Sequence, residues 1–280
     1  MRKLLYLIAL TYAMVFTACS SNLDVEGTEL QDSVRYVTMS FEPQYEITPM
    51  TRAAISPTCN KLVVKVVEEN GASNVYTQSS SDTGFGTMKI GINSTTSKIY
   101  SIAYWGNNTV SIANDGVTAF ENNEIVDAFF ATTSGWKLYE KSTVSVAMDR
   151  VAAKIQLNFT EAEVPSELSK MVLTVTGGTN IINSTETAQI VNEFADVSTG
   201  KFGTKAYPVL LYIPTGTTKV SVKATAYNSS NKVIQERTFT DVPIQANYIT
   251  SITGKFFYDG TPEFTFTIND TWNTGDTINY

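Results

Sequence analysis

The chain has 280 residues, with 27 acidic and 20 basic side chains and a formal net charge of −7. An acidic chain of this kind has no basic patch to neutralise phosphates, so we expect no nucleic-acid partner. Histidine is absent, which removes the commonest general base and the commonest metal ligand. We therefore predict no cofactor, no metal and no enzymatic activity.

The N-terminus has the three parts of an export signal. Arg2 and Lys3 supply the positive charge, residues 4–16 form an apolar run, and a small pair precedes Cys19. The run is too short to span a bilayer as a helix, which takes roughly 20 residues. A cysteine directly after the small pair is typical of bacterial lipoproteins, although an ordinary signal peptide with a chance cysteine is the alternative. We predict a signal peptide over residues 1–18 and a lipid, such as palmitate, on Cys19.

Removing that segment with its two basic residues takes the net charge from −7 to −9. The chain has two cysteines, so lipidation of Cys19 leaves Cys59 with no second cysteine to pair with, and we predict no intrachain disulfide. No later apolar run is long enough to suggest a transmembrane helix.

The first β-strand is predicted within residues 34–41. Val37, Met39 and Phe41 alternate with hydroxyl side chains, which is the two-residue period of a half-buried strand. Pro43 and Pro49 follow, and we expect them to break regular structure. The bond between Arg52 and Ala53 then offers a site for a trypsin-like protease.

The body of the chain has the pattern of an all-β protein. Short apolar runs that favour strands are separated by turn residues such as Asn70-Gly71, Gly177-Gly178 and Pro214-Thr215-Gly216. In residues 150–159, apolar side chains alternate with Ala152, Lys154, Gln156 and Asn158, which predicts a strand with one wet face. Residues 165–170 and residues 185–194 are the two candidate helices, and both are short.

The spacing of these strands predicts two β-sandwich domains, because 262 residues follow the signal peptide and domains typically have about 100–150. We place the boundary near residues 148–150. The predicted segments are residues 1–18 (signal peptide), 19–52 (lipidated segment with the first strand), 53–148 and 149–258 (the two sandwiches), and 259–280 (a tail).

The tail contains a second strand with the pattern of the first. Phe264, Phe266 and Ile268 alternate with threonines, and Trp272 follows in a polar stretch. Strand addition to an open sheet edge uses this design, with alternate side chains filling pockets. If the first strand were cut off at Arg52, the tail of another copy would have an edge to fill. The alternative is that both segments are permanent strands and that Arg52 is not cut.

Five segments in order carry a resemblance to a known family. They are TACSS at the lipidation site, PMTRAA around Arg52, DAFFAT at residues 127–132, DRVAAKIQLNF at residues 149–159, and NYITSITGKFFYDG at residues 247–260. Together they resemble Bacteroidales fimbrillins and fimbrillin-like lipoproteins over essentially the whole chain. No one motif is diagnostic, and the match depends on the order and spacing of all five.

The resemblance implies two tandem transthyretin-like Greek-key β-sandwiches exported as a lipoprotein to the outer-membrane surface. It implies that an Arg-specific protease cuts between Arg52 and Ala53 and removes the strand with Val37, Met39 and Phe41. It further implies that the segment with Phe264, Phe266, Ile268 and Trp272 enters the vacated groove of another subunit, which forms an adhesive type V pilus. The partners are then other copies or related pilins.

Other roles remain open. Anchor subunits of the same family keep their lipid and are not cut, and tip subunits carry additional N-terminal domains. A surface glycan-binding lipoprotein is a further alternative, with exposed aromatic rings that stack on sugars. The aromatic residues considered for that role are Tyr104, Trp105, Trp136, Tyr139 and Trp272.

Two further sequence patterns are weak indications of function. Four carboxylates are candidates for a glycosidase pair, but nothing fixes their spacing, and we expect them to be solvated loop and edge residues. They are Asp127, Asp149, Glu193 and Asp196. Ser33 and Thr277 lie in short sequences that resemble O-glycosylation sites of exported Bacteroidetes proteins.

Overall fold

The structure is a computed structural model that describes residues 34–44, 59–134, 141–161, 163–195, 197, 206–258 and 264–269. Regular structure in these residues consists of strands and one 3-10 turn, Glu121–Asn123. The strands of the first half are β1 (Arg35–Gln44), β2 (Lys61–Glu68), β3 (Ser73–Ser79), β4 (Thr87–Ile92), β5 (Thr96–Tyr104), β6 (Val110–Ile112), β7 (Thr118–Phe120), β8 (Ala128–Ser134) and β9 (Thr143–Arg150). Those of the second half are β10 (Ala152–Phe159), β11 (Leu168–Gly178), β12 (Ile181–Ile182), β13 (Ala188–Phe194), β14 (Ala206–Tyr212), β15 (Lys219–Asn228), β16 (Val233–Pro243), β17 (Ile249–Gly254) and β18 (Phe264–Asn269).

Seven strands of the first half form one sheet in the order β3-β2-β5-β8-β9-β1-β4. Alternate side chains of these strands are buried together in one apolar cluster that includes Leu62, Val64 and Ile90. The sheet turns on itself, because side chains of β3 form hydrogen bonds with the backbone of β4, the strand at its other edge. Cys59 is 1% exposed in the same cluster.

The second half forms two four-stranded sheets, in the orders β14-β10-β17-β18 and β13-β11-β15-β16. One apolar cluster contains inward side chains of both sheets, among them Ile155 and Leu211 from the first and Leu173 and Val222 from the second. Two antiparallel-rich sheets that share a core in this way form a β-sandwich. The prediction of an all-β sandwich fold is confirmed.

A third apolar cluster joins side chains from both halves of the chain, including Tyr100 and Phe130 from the first and Leu210 and Tyr212 from the second. The Tyr212 hydroxyl donates to Val126 O at 2.8 Å and accepts from Val126 N at 2.9 Å. Residues from Val34 onward form one compact unit. The division into two domains near residues 148–150 stays a prediction.

Two helix predictions and one prediction of solvent exposure are wrong. Residues 165–170 and 185–194 are not helical, because β11 begins at Leu168 and pairs with both β13 and β15. The face of β10 predicted to be wet is partly covered, since Ala152 is 0% exposed and Lys154 is 3% exposed. The third cluster covers this end of β10, so tertiary packing overrides the local pattern.

Pro43 lies inside β1, where we expected it to break regular structure. On one side, β1 pairs with β4 only as far as Ser40 and Thr87, so no ladder hydrogen bond is due from position 43 to that strand. On the other side, Pro43 lies opposite Met148 in a parallel pairing. A proline is tolerated in a strand at a position where no carbonyl oxygen of a neighbouring strand would accept a hydrogen bond from the missing N–H.

Among the described residues, no helix is long and apolar enough to cross a membrane.

Candidate functional site

β1 occupies an interior position in the seven-stranded sheet. It pairs in parallel with β9, with Met39 opposite Val144, and antiparallel with β4, with Met39 opposite Met88. Its backbone bonds alternate between the two neighbours. Thr38 N–H donates to Ser142 O on the β9 side at 2.9 Å, and Phe41 N–H donates to Gly86 O on the β4 side at 2.9 Å. Removal of β1 would therefore leave two unpaired strand edges that face each other.

The inward side chains of β1 fill the core that these edges enclose. Val37 and Met39 are 0% exposed, Phe41 is 2% exposed, and all three belong to the apolar cluster of the seven-stranded sheet. The opposite face is half-buried, and there Ser40 Oγ lies 3.5 Å from Thr87 Oγ1. The alternation predicted for these residues is confirmed, and the three predicted side chains are buried.

The tail strand β18 occupies a different kind of position, at an edge. It pairs antiparallel with β17, with Phe266 opposite Ile252, and in the described residues its other side carries no strand. Phe264 packs edge-on against Phe239 with ring centroids 4.7 Å apart. Phe266 and Ile268, by contrast, remain 42% and 43% exposed. β18 is thus paired with a strand of its own chain, while Phe266 and Ile268 remain largely exposed.

The two strands share a sequence pattern and differ in burial. Each has three large apolar side chains at alternate positions, which in β1 are buried and in β18 are partly or largely exposed. Full burial of such a side chain contributes about 1.5–3 kcal/mol, so covering the exposed part of Phe266 or Ile268 would contribute on the order of 1 kcal/mol each. In its present position, β18 does not gain this stabilisation.

Two charged residues hold the backbone just before the tail. Arg237 Nε donates to Phe256 O at 2.6 Å, and its Nη2 donates to Tyr258 O at 2.5 Å. Glu161 Oε1 accepts the Phe257 N–H at 2.8 Å. Together they fix residues 256–258 on the sandwich, so a change in the position of β18 would begin after Tyr258.

Burial raises the pKa of the Glu161 carboxyl above its usual value. The hydrogen bond from Phe257 N–H and the charges of Arg237 and Lys255 act in the opposite direction. The second oxygen of this carboxyl, Oε2, is buried and has no hydrogen-bond partner among the described residues. That arrangement fits a carboxyl for which burial is the larger effect.

Several predicted site residues lie outside the described residues. They are Cys19, Ser33, Arg52, Ala53, Trp272 and Thr277, together with Trp136 and Tyr139. Their predicted roles in lipidation, processing, glycosylation and sugar stacking therefore stay predictions.

The aromatic residues weighed for sugar stacking divide between core and surface. Tyr104 is 3% exposed, and its hydroxyl donates to Asn108 O at 2.7 Å, so it is a core residue and is not available to stack on a sugar. Trp105 is 60% exposed. One exposed indole is a common surface feature and does not by itself define a glycan site.

Two of the four candidate carboxylates form ion pairs with basic side chains. Asp127 forms an ion pair with buried Arg150, with Oδ1 and Nε 3.0 Å apart, and Glu193 forms a partly exposed ion pair with Lys170. Asp149 is exposed on β9, and Asp196 lies outside the described residues. Within the described ranges, no group of three or more acidic or cysteine side chains could hold a metal ion.

Sequence reasoning missed the polar residues that support these strands: Tyr76 and Gln78 beside β4, and Glu161 and Arg237 beside the tail. Their partners are backbone atoms elsewhere in the chain, some in β4 and others in the segments next to β4 and β17, and the residue types alone do not predict these contacts. They become visible only from the folded chain.

Comparisons with known proteins agree with this architecture. A family model described as a family of unknown function, DUF6562, matches residues 209–278. No curated protein matches the chain. The family match covers only the C-terminal part of the chain.

Solved structures match over most of the chain. A candidate adhesin from Bacteroides ovatus has a TM-score of 0.52 at 9% identity, over 85% of this chain and 94% of the adhesin. A candidate polysaccharide-binding protein from Bacteroides thetaiotaomicron has a TM-score of 0.52 at 11% identity, over 84% of this chain and 97% of the other. The fimbrial anchor protein Mfa2 from Porphyromonas gingivalis has a TM-score of 0.51 at 10% identity, over 85% and 98%.

These likenesses show that the chain has the fold of Bacteroidales adhesins and fimbrial proteins. The resemblance drawn from the sequence is confirmed at that level.

Proposed function

We propose that this chain is a structural subunit of a cell-surface fimbria that supports adhesion. In this proposal it is exported as a lipoprotein through Cys19, cut between Arg52 and Ala53, and polymerised when the tail of one copy takes the place of β1 in another. The partners are further copies or related pilins, the outer membrane and an Arg-specific protease. The fold shared with fimbrial proteins supports the class of protein.

The position of β1 is the observation that carries the proposal. β1 is an interior strand, and residues 45–60, which contain Arg52, connect it to β2. A single cut after Arg52 would separate β1 from the part of the chain that begins with β2. What then holds β1 is its backbone pairing and three buried side chains of about 1.5–3 kcal/mol each.

The tail supplies the second supporting observation. β18 is an edge strand with the matching apolar pattern, and its position on β17 leaves Phe266 and Ile268 exposed. Edge strands and open grooves pair readily with strands of other chains. The tail of one copy gains buried area by moving from its own edge into the interior position of another.

The proposal is tested by cutting the purified protein with an Arg-specific protease and following SDS-resistant ladders. We expect ladders from the wild-type chain and none from Arg52→Ala. Arg52→Lys is the matched control, because it keeps the charge, resists the Arg-specific protease, and should form ladders when a Lys-specific protease is supplied. Deletion of residues 259–280 should abolish ladders in the cut protein. Ladders of equal yield from uncut protein would refute strand exchange.

An uncut anchor subunit is the second candidate role, favoured by the likeness to the anchor protein Mfa2. The deep burial of β1 suits this role as well, because an anchor keeps its first strand and its lipid. Surface protein from intact cells separates the two roles by mass. A subunit that begins at Ala53 supports polymerisation, and a subunit that retains lipidated Cys19 and β1 supports the anchor. A tip subunit would instead be found only at fibre ends by immunogold labelling.

Glycan binding is supported only by the likeness to a candidate polysaccharide-binding protein and by exposed Trp105. Binding on a glycan array that is lost in Trp105→Ala, in a protein that forms no polymers, would favour this function over the fimbrial one.

A further inference from the structure

β4 depends on β1 for its strand pairing. It is the edge strand of the seven-stranded sheet, and among the described residues β1 is its strand partner. If β1 left, β4 would have no strand on either side. A strand of six residues with no paired neighbour is not expected to keep its position unless other contacts stabilise it.

The outer edge of β4 is held by a tyrosine from β3. Gly91 N–H donates to Tyr76 Oη at 3.1 Å, and Tyr76 Oη lies 3.5 Å from Gly91 O. These backbone groups face away from β1. A Cβ at position 91 would lie 3.0 Å from Tyr76 Oη and 3.1 Å from Val34, so glycine permits this close approach.

The beginning of β4 is held by a glutamine from the same face of β3. Gln78 Oε1 accepts from Gly86 N–H at 2.9 Å. Its Nε2 donates to Gly84 O at 3.1 Å and to Thr87 O at 3.3 Å. One amide side chain thus forms hydrogen bonds with three backbone groups where the preceding turn leads into β4.

The end of β4 is held by the following turn. Asn93 Nδ2 donates to Glu68 Oε1 at 2.9 Å, and Glu68 is the last residue of β2. Inside the sheet, Met88, Ile90 and Ile92 pack in the same cluster as Leu62 and Val64 of β2. The hydrogen bonds to Tyr76, Gln78 and Glu68 do not involve β1, whereas the apolar cluster also contains side chains of β1.

We propose that Tyr76 and Gln78 are positioning residues that keep β4 in place when β1 is absent, so that the gap between β4 and β9 stays one strand wide. This inference rests on the proposed function, and the occupant of the gap is the tail of a second copy. Contacts from the β2–β3 hairpin hold β4 in position. The entering strand then pairs with the edges of β4 and β9, which are already in place. Because the receiving groove is ordered before binding, less conformational entropy is lost on entry.

The test measures strand entry directly. A site for a different, sequence-specific protease is inserted after Arg52 in the full chain, so that β1 is released without relying on natural processing. Binding of a fluorescent peptide of residues 34–44 is then compared between the wild type and the double variant Tyr76→Phe/Gln78→Met. Thr77→Val is the matched control, because Thr77 is exposed on the opposite face of β3. Unfolding of the uncut variants shows that each one folds.

We expect the double variant to bind the peptide roughly tenfold or more weakly, since each hydrogen bond contributes about 1 kcal/mol and 1.4 kcal/mol corresponds to a factor of ten. Hydrogen exchange of residues 87–92 in the strand-free form should be faster in the double variant than in wild type or Thr77→Val. Peptide affinity and exchange equal to those of wild type would overturn the inference.

A second peptide, residues 259–280, separates this inference from the proposed function. If this peptide binds neither protein while the 34–44 peptide depends on Tyr76 and Gln78, the preformed gap stands and tail exchange fails. If it binds wild type and double variant equally well, tail exchange stands and the positioning role is overturned.

Discussion

Truncation of Met39 should have opposite effects on the uncut monomer and on assembly. Met39 is 0% exposed, between Met88 on β4 and Val144 on β9. Replacing a fully buried methionine by alanine removes its transfer free energy and leaves a cavity, which costs about 2–5 kcal/mol. Met39→Ala should therefore lower the free energy of unfolding of the uncut protein by that amount. In the cut protein the same loss weakens retention of the β1 fragment by about 30-fold or more.

The assay has two parts on the same preparation. Urea unfolding of the uncut chain measures the loss of stability, and the rate of ladder formation after cleavage measures the release of β1. Ser40→Ala is the matched control, since Ser40 lies on the half-buried opposite face of the same strand. We expect Met39→Ala to unfold at lower urea and to assemble faster than wild type, and Ser40→Ala to resemble wild type in both.

The reasoning fails if Met39→Ala is destabilised and assembles no faster than wild type after cleavage. That result would mean that release of β1 does not limit the rate of assembly. An unchanged urea midpoint would instead contradict the burial of Met39.

Three further predictions concern the tail, the contact between the two halves and pH. Ile268→Ser should change the free energy of unfolding of the monomer by less than about 1 kcal/mol, because this side chain is 43% exposed, yet it should slow ladder formation; equal slowing by Thr267→Ser would contradict this. Tyr212→Phe should lower the free energy of unfolding by about 1–3 kcal/mol in urea, because Val126 N and O both lose their buried partner; a smaller loss would mean that water replaces the hydroxyl. Glu161 has a pKa raised by burial, so its native state holds the proton more tightly than the unfolded chain, and stability falls as pH rises from about 4.5 through the raised value. Glu161→Gln should make the free energy of unfolding, measured in urea at several pH values, fall less steeply with pH. An unchanged pH dependence would mean that other groups cause the fall.

Most strands and many turns could be predicted from the sequence. The two-residue alternation of Val37, Met39 and Phe41 reflects the geometry of a single strand, so it is visible without tertiary contacts. The Asn70-Gly71 turn is local in the same way, and Gly71 adopts a φ of 85° there. The matching pattern of the tail was also visible in the sequence, as was the resemblance that predicted the fold.

Only the tertiary structure decided where these strands lie. β1 is inserted beside β9, about a hundred residues further along the chain. Pro43 is tolerated within this strand because the pairing of β1 with β4 ends at Ser40. The burial of Lys154 and the strand character of residues 188–194 likewise depend on neighbouring sheets. Side chains such as Tyr76 and Gln78 form hydrogen bonds with backbone atoms in β4 and just before it. These contacts cannot be predicted from residue type and spacing along the chain. The interior position of β1 and the exposed position of β18 follow from the packing of whole sheets, because each depends on which distant strands lie on either side.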